Sequence, residues 1–303
     1  MKQESTRHAD GRCGLHHRWG VGAVLAFAVG GLNPTEGNAY TAAGDRNFPA
    51  TLILPQVGPS DAFWSNVGTQ PMATTRQTEL DGTYSKLITE RLGIQLEGGV
   101  TWNGSVTSAH PIDVLLQYEP IVDQPHEFVL SIQVDHNFGS SVTFPVSPAT
   151  TPALTFAKGF GDLPIDYLRP LAITAYGGYH IAGGAHPNQV TTGLSVQYSI
   201  PYLLSKVAYI DLPPFLRGVT PLTEVVYNSA VGRTYGQNAE LLIAPGISYS
   251  QGKGWELGIE AMIPATKAAG RGIGVIAQFV IQLDYLLPDS FFGRPIFPLN
   301  EPR

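Results

Sequence analysis

The sequence carries little charge for its length. Asp, Glu, Lys and Arg make up 14% of its 303 residues, whereas soluble domains contain about 25%. The formal net charge is −6, and nucleic-acid binding needs basic surfaces. The composition therefore disfavours an ordinary soluble domain and a nucleic-acid partner.

Cysteine and long apolar segments are also scarce. Cys13 is the single cysteine, so no disulfide can form within the chain. The apolar run at 21–32 follows basic residues and is too short to cross a bilayer as a helix. With the small residues Gly37 and Ala39 after it, this run predicts a signal peptide at 1–39, cleaved after Ala39. A short anchoring or buried helix is the alternative interpretation of the run.

What the sequence does contain is alternation with a period of two. In the stretch from Trp255 to Ile263, every odd position is apolar, while the even positions include Glu256 and Glu260. Such alternation is typical of a strand with one apolar and one polar face. A protein core would not accept two unpaired carboxylates, so we expect the apolar face to meet lipid and the polar face to line an interior.

The same pattern recurs from residue 79 to residue 285, and short turns alternate with longer loops. About eleven strands are clear and a weak one lies at 50–57, which favours twelve because bacterial barrels have even strand numbers. We predict an all-β, antiparallel up-and-down transmembrane β-barrel of about 12 strands. Its parts are an N-terminal segment with the weak strand and a loop at 40–77, the barrel at 78–287 and a periplasmic tail at 288–303.

The alternation of turns and loops puts both chain ends on the turn side. In a Gram-negative outer membrane that side is the periplasm. Membrane lipid and a small-molecule solute are the expected partners, and the pattern leaves the oligomeric state open.

Polar side chains on the presumed inner faces are mostly acidic or amide. They are Glu79, Asp81, Gln95, Glu97, Asp113, Gln117, Gln133, Asp135, Gln197, Glu224, Glu240, Glu256, Glu260, Gln278, Gln282 and Asp284. A water-filled lumen of this kind favours cations or neutral solutes over anions. Alternatively, these carboxylates pair with arginines and hold a plugged barrel rigid; the candidate arginines are Arg169, Arg217, Arg233 and Arg271. Twelve strands imply a narrow channel that loops or the N-terminal segment could block.

One short motif, Phe156 to Pro164 (FAKGFGDLP) followed by Leu168-Arg169-Pro170, carries a resemblance. With its flanking strands it resembles the outer-membrane "MetA-pathway of phenol degradation" family of transporters. The matching motif residues are Lys158, Gly159, Phe160, Gly161, Asp162, Arg169 and Pro170. The resemblance implies a β-barrel that takes up aromatic or other small hydrophobic compounds.

Two other classes remain as alternatives. A barrel lipid hydrolase needs a Ser, a His and an orienting polar residue on adjacent strands, and no serine stands in a recognisable pattern beside the histidines at 110, 126, 136, 180 and 186. His180 and His186 alone are weak evidence for a metal, and no cofactor motif is present, so we expect no enzyme. A soluble secreted β-barrel binding protein would need Lys and Arg on its polar faces.

Overall fold

The computed structural model describes residues 42–43, 46–48, 51–71, 76–104, 106–139, 146–183, 186–231, 239–252 and 254–298. The predicted signal peptide at 1–39 and Arg233 lie outside these residues. In the described part of the chain, no helix is both long enough and apolar enough to cross a membrane.

Twelve antiparallel strands form one closed barrel, which confirms the predicted fold class. They are β1 (Ala62–Pro71), β2 (Arg76–Thr89), β3 (Leu92–Asn103), β4 (Asp113–Asp123), β5 (Phe128–Asn137), β6 (Ala149–Gly159), β7 (Leu171–Ala182), β8 (Gln189–Tyr198), β9 (Val219–Ala230), β10 (Glu240–Ser250), β11 (Trp255–Pro264) and β12 (Gly274–Gln282). Each strand pairs with the next, and β12 pairs with β1 to close the ring. A short strand, Val106–Ala109, pairs with the far part of β3 before β4 pairs with the near part.

The two faces of the wall are arranged as the alternation predicts. On β11, Leu257 and Ile259 are each 48% exposed on the outside, whereas Glu256 and Glu260 are 2% and 1% exposed on the inside. Leu194 and Val196 on β8 also lie outside, at 42% and 43%. An apolar outer surface around a polar interior is the inverse of a soluble protein and fits a wall that faces hydrocarbon.

The first strand is not where the sequence pattern predicts it. Barrel strand β1 covers Ala62–Pro71, inside the expected loop at 58–75, and residues 51–61 lie within the barrel. The apolar run Leu52-Ile53-Leu54 resembles a strand because its side chains are buried, but what it packs against is the inner wall, including Leu222 and Met262. The barrel therefore begins at 62 rather than 78.

The chain passes through the two ends of the barrel alternately. One end, here called the terminal end, carries the described residues 90–91, 124–127, 160–170, 199–218, 251–252 and 254, together with residues 283–298. At the opposite end β1 stops at Pro71 and β2 starts at Arg76, and the described residues 104, 106–112, 138–139, 146–148, 183, 186–188, 231, 239 and 265–273 lie there. The last strand stops at Gln282, and Asp284 lies in a short helix, Leu283–Leu286. Asp284 is thus not on a barrel strand, because the chain turns out of the sheet two residues before it.

Candidate functional site: a lumen filled by the N-terminal segment

The polar residues predicted to line the lumen face the barrel interior wherever they lie on strands. Glu97 and Asp113 lie on β3 and β4, Asp135 on β5, Gln197 on β8, Glu224 on β9, Glu256 and Glu260 on β11, and Gln278 and Gln282 on β12. Asp284 is the exception, for the reason given above. The other predicted lumen residues also face inward, among them Glu79, Asp81 and Glu240.

The inner wall carries one sign of charge. On strands β1–β12 as described, carboxylates face inward and no Lys or Arg does. Two of the arginines considered as lumen partners contact acids elsewhere: Arg169 lies 3.6 Å from Asp166, and Arg217 lies 3.1 Å from Asp211, both in connections at the terminal end.

Residues 42–43, 46–48 and 51–61 form what we call the N-terminal plug. The plug starts at the terminal end, where Arg46 contacts the carbonyls of Pro170 and Leu171. It reaches the middle of the barrel at Leu52 and returns to the terminal end at Asp61, directly before β1. The N-terminal segment therefore lies inside the barrel, where the sequence left open that it could block the channel.

Glu224 holds the innermost part of the plug. Its carboxylate accepts backbone N–H bonds from Leu52 and Leu54, each at 2.8 Å, and from Ile53 at 3.1 Å. Gln278 on β12, three strands further around the wall, donates to the Thr51 carbonyl at 3.1 Å. These bonds satisfy backbone groups that would otherwise be buried without partners.

The wall is shaped to the plug as well as bonded to it. A Cβ at Gly258 would lie 2.7 Å from Leu52 Cδ1, and a Cβ at Gly193 would overlap the side chain of Leu54. Gly93 takes Pro59 in the same way, with 2.5 Å between its hypothetical Cβ and the Pro59 Cβ. Real Cβ atoms do not approach so closely, so each glycine provides a seat for one plug side chain.

A buried ion pair fastens the plug at the terminal end. Arg46 donates from Nε to Glu127 Oε2 at 3.2 Å, and both side chains are largely excluded from solvent. The Tyr202 hydroxyl donates to Glu127 Oε1 at 2.9 Å, and the Arg46 guanidinium stacks 3.9 Å from the centre of the Tyr202 ring. Burial and the neighbouring Glu127 raise the pKa of Tyr202. Every charged group in the cluster therefore has a partner.

The motif that carried the resemblance surrounds the buried pair of Arg46 and Glu127, which we call the lock. Gly161 donates its N–H to Glu127 at 3.0 Å, and a Cβ at Gly159 or Gly161 would collide with the Glu127 carboxylate. Arg169 donates to the Gly161 carbonyl at 2.9 Å. The Lys158 ammonium binds Asp162 at 2.9 Å, and this hydrogen bond lowers the pKa of Asp162. Phe160 and Pro170 contribute backbone contacts to Leu171 and Arg46.

Two further clusters were not found from sequence. His110 Nδ1 lies 2.6 Å from Asp81 Oδ1, and its Nε2 contacts the Thr101 hydroxyl, in the lumen near the opposite end. At the terminal end, Lys86 binds Asp61 at 2.6 Å under the C-terminal segment. Both clusters join residues that are far apart in sequence, so spacing gave no signal. Among the described residues, no group of His, Cys, Asp or Glu is arranged to hold a metal.

Comparison with known proteins shows likeness at the level of fold. No family model matches the sequence, and no curated protein matches it. The NanC porin structure is similar with a TM-score of 0.50 and 11% identity, covering 73% of this chain and 98% of that one. The KdgM porin also matches, with a TM-score of 0.48 and 14% identity, covering 73% of this chain and 98% of that one. The COG4313 outer membrane channel from Pseudomonas putida F1 matches with a TM-score of 0.48 and 9% identity, covering 78% of this chain and 99% of that one. The chain therefore has a porin-like barrel fold.

Proposed function

We propose that this protein is a passive outer-membrane channel for small solutes, closed in the present state by its N-terminal plug. The observation that carries the proposal is the two-sided wall: apolar side chains outside, and carboxylates without inward Lys or Arg inside. The porin-like fold supports it. The outer membrane of a Gram-negative cell is the compartment that such a surface suits, with the terminal end in the periplasm.

The lumen charge supports a preference for cations and neutral solutes. Glu97, Asp113 and Asp135 lie close together on three neighbouring strands: Glu97 is opposite Asp113, and Asp135 is opposite Leu115, two residues from Asp113 on the same face. A negative potential in a narrow passage raises the local concentration of cations and excludes anions. The motif around Lys158 and Arg169 supports aromatic or hydrophobic compounds as the solute class, through its resemblance to the MetA-pathway family.

Reversal potentials in a KCl gradient across planar bilayers test this function. We expect cation preference in the wild type and in Arg46→Ala, which weakens the plug's attachment. The triple variant Glu97→Gln, Asp113→Asn, Asp135→Asn should lose much of this preference, whereas Asp211→Asn, at a carboxylate outside the lumen, should keep it. Anion preference, or no conductance even in Arg46→Ala, would overturn the proposal.

One observation favours an enzyme as a second candidate. Asp81, His110 and Thr101 follow the order of an orienting carboxylate, a general-base imidazole and a hydroxyl, which is the arrangement of hydrolytic triads. Thr101 also donates to Glu79 at 3.3 Å, so the hydroxyl has a competing acceptor. Hydrolysis of p-nitrophenyl esters that is lost in Thr101→Val and in His110→Gln would support the enzyme; equal background rates in all three proteins would reject it.

A further inference from the structure

A row of buried hydroxyl groups crosses the inner wall under the plug. Ser131, Thr155, Thr174 and Ser195 lie on consecutive strands β5 to β8, and all four are fully buried. Ser131 is opposite Thr155, and Thr174 is opposite Ser195. Within the described residues, none of the four hydroxyl oxygens has a hydrogen-bond partner.

Two further polar residues adjoin the Ser195 end of the row. Ser195 is directly opposite Glu224, the residue that holds the plug backbone. Gln197 lies two residues from Ser195 on the same face, is 3% exposed, and its amide Nε2 also lacks a partner among the described residues. The wall therefore offers several donors and acceptors that the closed state leaves unused.

Apolar plug residues cover this part of the wall. Leu54 sits on Gly193, two positions from Ser195 on the same face. Phe48 and Val57 pack on Val129, Ala157 and Ala172. These three wall residues lie two positions from Ser131, Thr155 and Thr174 respectively, also on the inner face. Phe48 and Val57 thus pack on apolar wall residues, whereas the adjoining hydroxyls form no hydrogen bond within the described residues.

Burying a hydroxyl without a partner is unfavourable, and replacing it with an apolar group of the same shape would relieve that cost. A wall that served only to hold the plug would gain by having Ala and Val at these four positions. The hydroxyls have a use when the plug is withdrawn, because they then meet water or a solute. Withdrawal would also free the Glu224 carboxylate, which becomes an acceptor at the end of the row.

We propose that the row from Ser131 to Ser195, ending at Glu224 and flanked by Gln197, is a binding track for small neutral solutes that carry hydroxyl groups. Hydroxyls both donate and accept, so they match a solute O–H in either role. The absence of inward Lys and Arg on the described strands leaves no partner for an acidic solute. This inference rests on the proposed channel function and names the solute chemistry of the same lumen.

The test compares solute flux, ion flux and stability in one set of full-length proteins. The row variant carries Ser131→Ala, Thr155→Val, Thr174→Val and Ser195→Ala, and the matched control is Thr83→Val, whose hydroxyl donates to Glu97 on the other side of the lumen. For the two flux measurements all are made in the Arg46→Ala background, and for the stability measurement Arg46 is retained. Xylitol-driven swelling of liposomes reports solute flux, KCl conductance reports ion flux, and unfolding in urea reports stability.

We expect the row variant to slow xylitol entry about fivefold or more, as loss of one or more solute hydrogen bonds predicts, while KCl conductance stays within about twofold. When Arg46 is retained, the row variant should be at least as stable to urea as the wild-type protein, because unpaired hydroxyls have been removed. Unchanged xylitol entry, or an equal fall in xylitol and KCl flux, would overturn the track. A loss of stability would show that the hydroxyls are paired in the closed state and would overturn it too. Absence of KCl conductance in every protein would instead reject the channel itself, and the track with it.

Discussion

Arg46 and Glu127 form a buried ion pair, with 3.2 Å between Nε and Oε2, although they are 81 residues apart in sequence. The pair joins the N-terminal plug to the turn between β4 and β5. Glu127 adopts a positive φ of 48°, a conformation that non-glycine residues seldom adopt. The strain of that turn directs the carboxylate inward, where it meets Arg46, Tyr202 and Gly161.

Replacing Arg46 with Ala should loosen the plug without unfolding the barrel. Breaking one partner of a buried pair costs about 3–5 kcal/mol, because the remaining charge stays buried. We expect more frequent channel openings in planar bilayers. The difference in gel mobility between heated and unheated protein, which reports an intact barrel, should be unchanged. Arg217→Ala is the control, since the Arg217–Asp211 pair is exposed and such pairs contribute about 0–1 kcal/mol. Equal opening in wild type and Arg46→Ala would contradict the assignment of the pair as the lock.

Enlarging Gly193 should expel the plug by steric overlap. A Val at this position would occupy the space that Leu54 fills. We expect hydrogen exchange at the amides of Leu52 to Leu54 to accelerate by at least about tenfold, which corresponds to about 1.4 kcal/mol. Gly98→Val is the matched control, because nothing lies within 4 Å of a Cβ at Gly98. If exchange stays slow in Gly193→Val, or if adding Leu54→Ala to it fails to restore protection elsewhere in the plug, the seat is not what positions the segment.

Asp284 should make the stability of the terminal end depend on pH. Burial raises its pKa to about 7, and the nearby Asp61 adds to the shift. Because the pKa in the folded state lies above the unfolded value, stability is greatest at low pH and falls as pH rises towards about 7. Linkage sets an upper limit of about 4 kcal/mol on the loss. Asp284→Asn should flatten the pH dependence of the urea midpoint between about pH 5 and about pH 8, a range that brackets this titration. A wild-type midpoint that rises with pH would reverse the sign and reject this account.

A charge on the outer face should weaken the barrel in lipid. Ile259 is half exposed on the outside of β11, so Ile259→Arg places a guanidinium against hydrocarbon at a cost of about 2–4 kcal/mol near the midplane. Urea unfolding from phospholipid vesicles measures it, and Ile259→Leu is the conservative control. A soluble barrel would tolerate the arginine, so unchanged stability in vesicles would contradict the lipid-facing assignment.

Strand alternation predicted the barrel because one physical rule governs nearly every wall position. Leu257 faces outward and Glu256 faces the lumen, and the alternation of apolar and polar residues in the local sequence reflects this difference in environment. The rule fails for Leu52 and Leu54, which are apolar but lie inside, since a plug residue packs on inner-wall residues such as Leu222 rather than on lipid. An apolar residue in this chain therefore has two places to be buried, and local periodicity cannot separate them.

The lock and the clusters depend on pairings that no local pattern contains. Gly159 and Gly161 stood out as a motif, but their purpose depends on Glu127 and on Arg46, which comes from a segment predicted as strand and loop. The same holds for His110 and Asp81, which meet only after β2 and β3 are paired. Strand identity could be predicted from neighbours in sequence, whereas these contacts required the register of the closed sheet.

Both ends of the plug lie at the same mouth of the barrel, with Arg46 beside Pro170 and Asp61 beside Lys86. The described residues between them enter the barrel and leave it at this one mouth. Because β12 pairs directly with β1, withdrawal of these residues would leave every hydrogen bond between the wall strands in place. A pulling force applied at the terminal end would need to break only the side-chain and backbone contacts of the plug, never the ring itself.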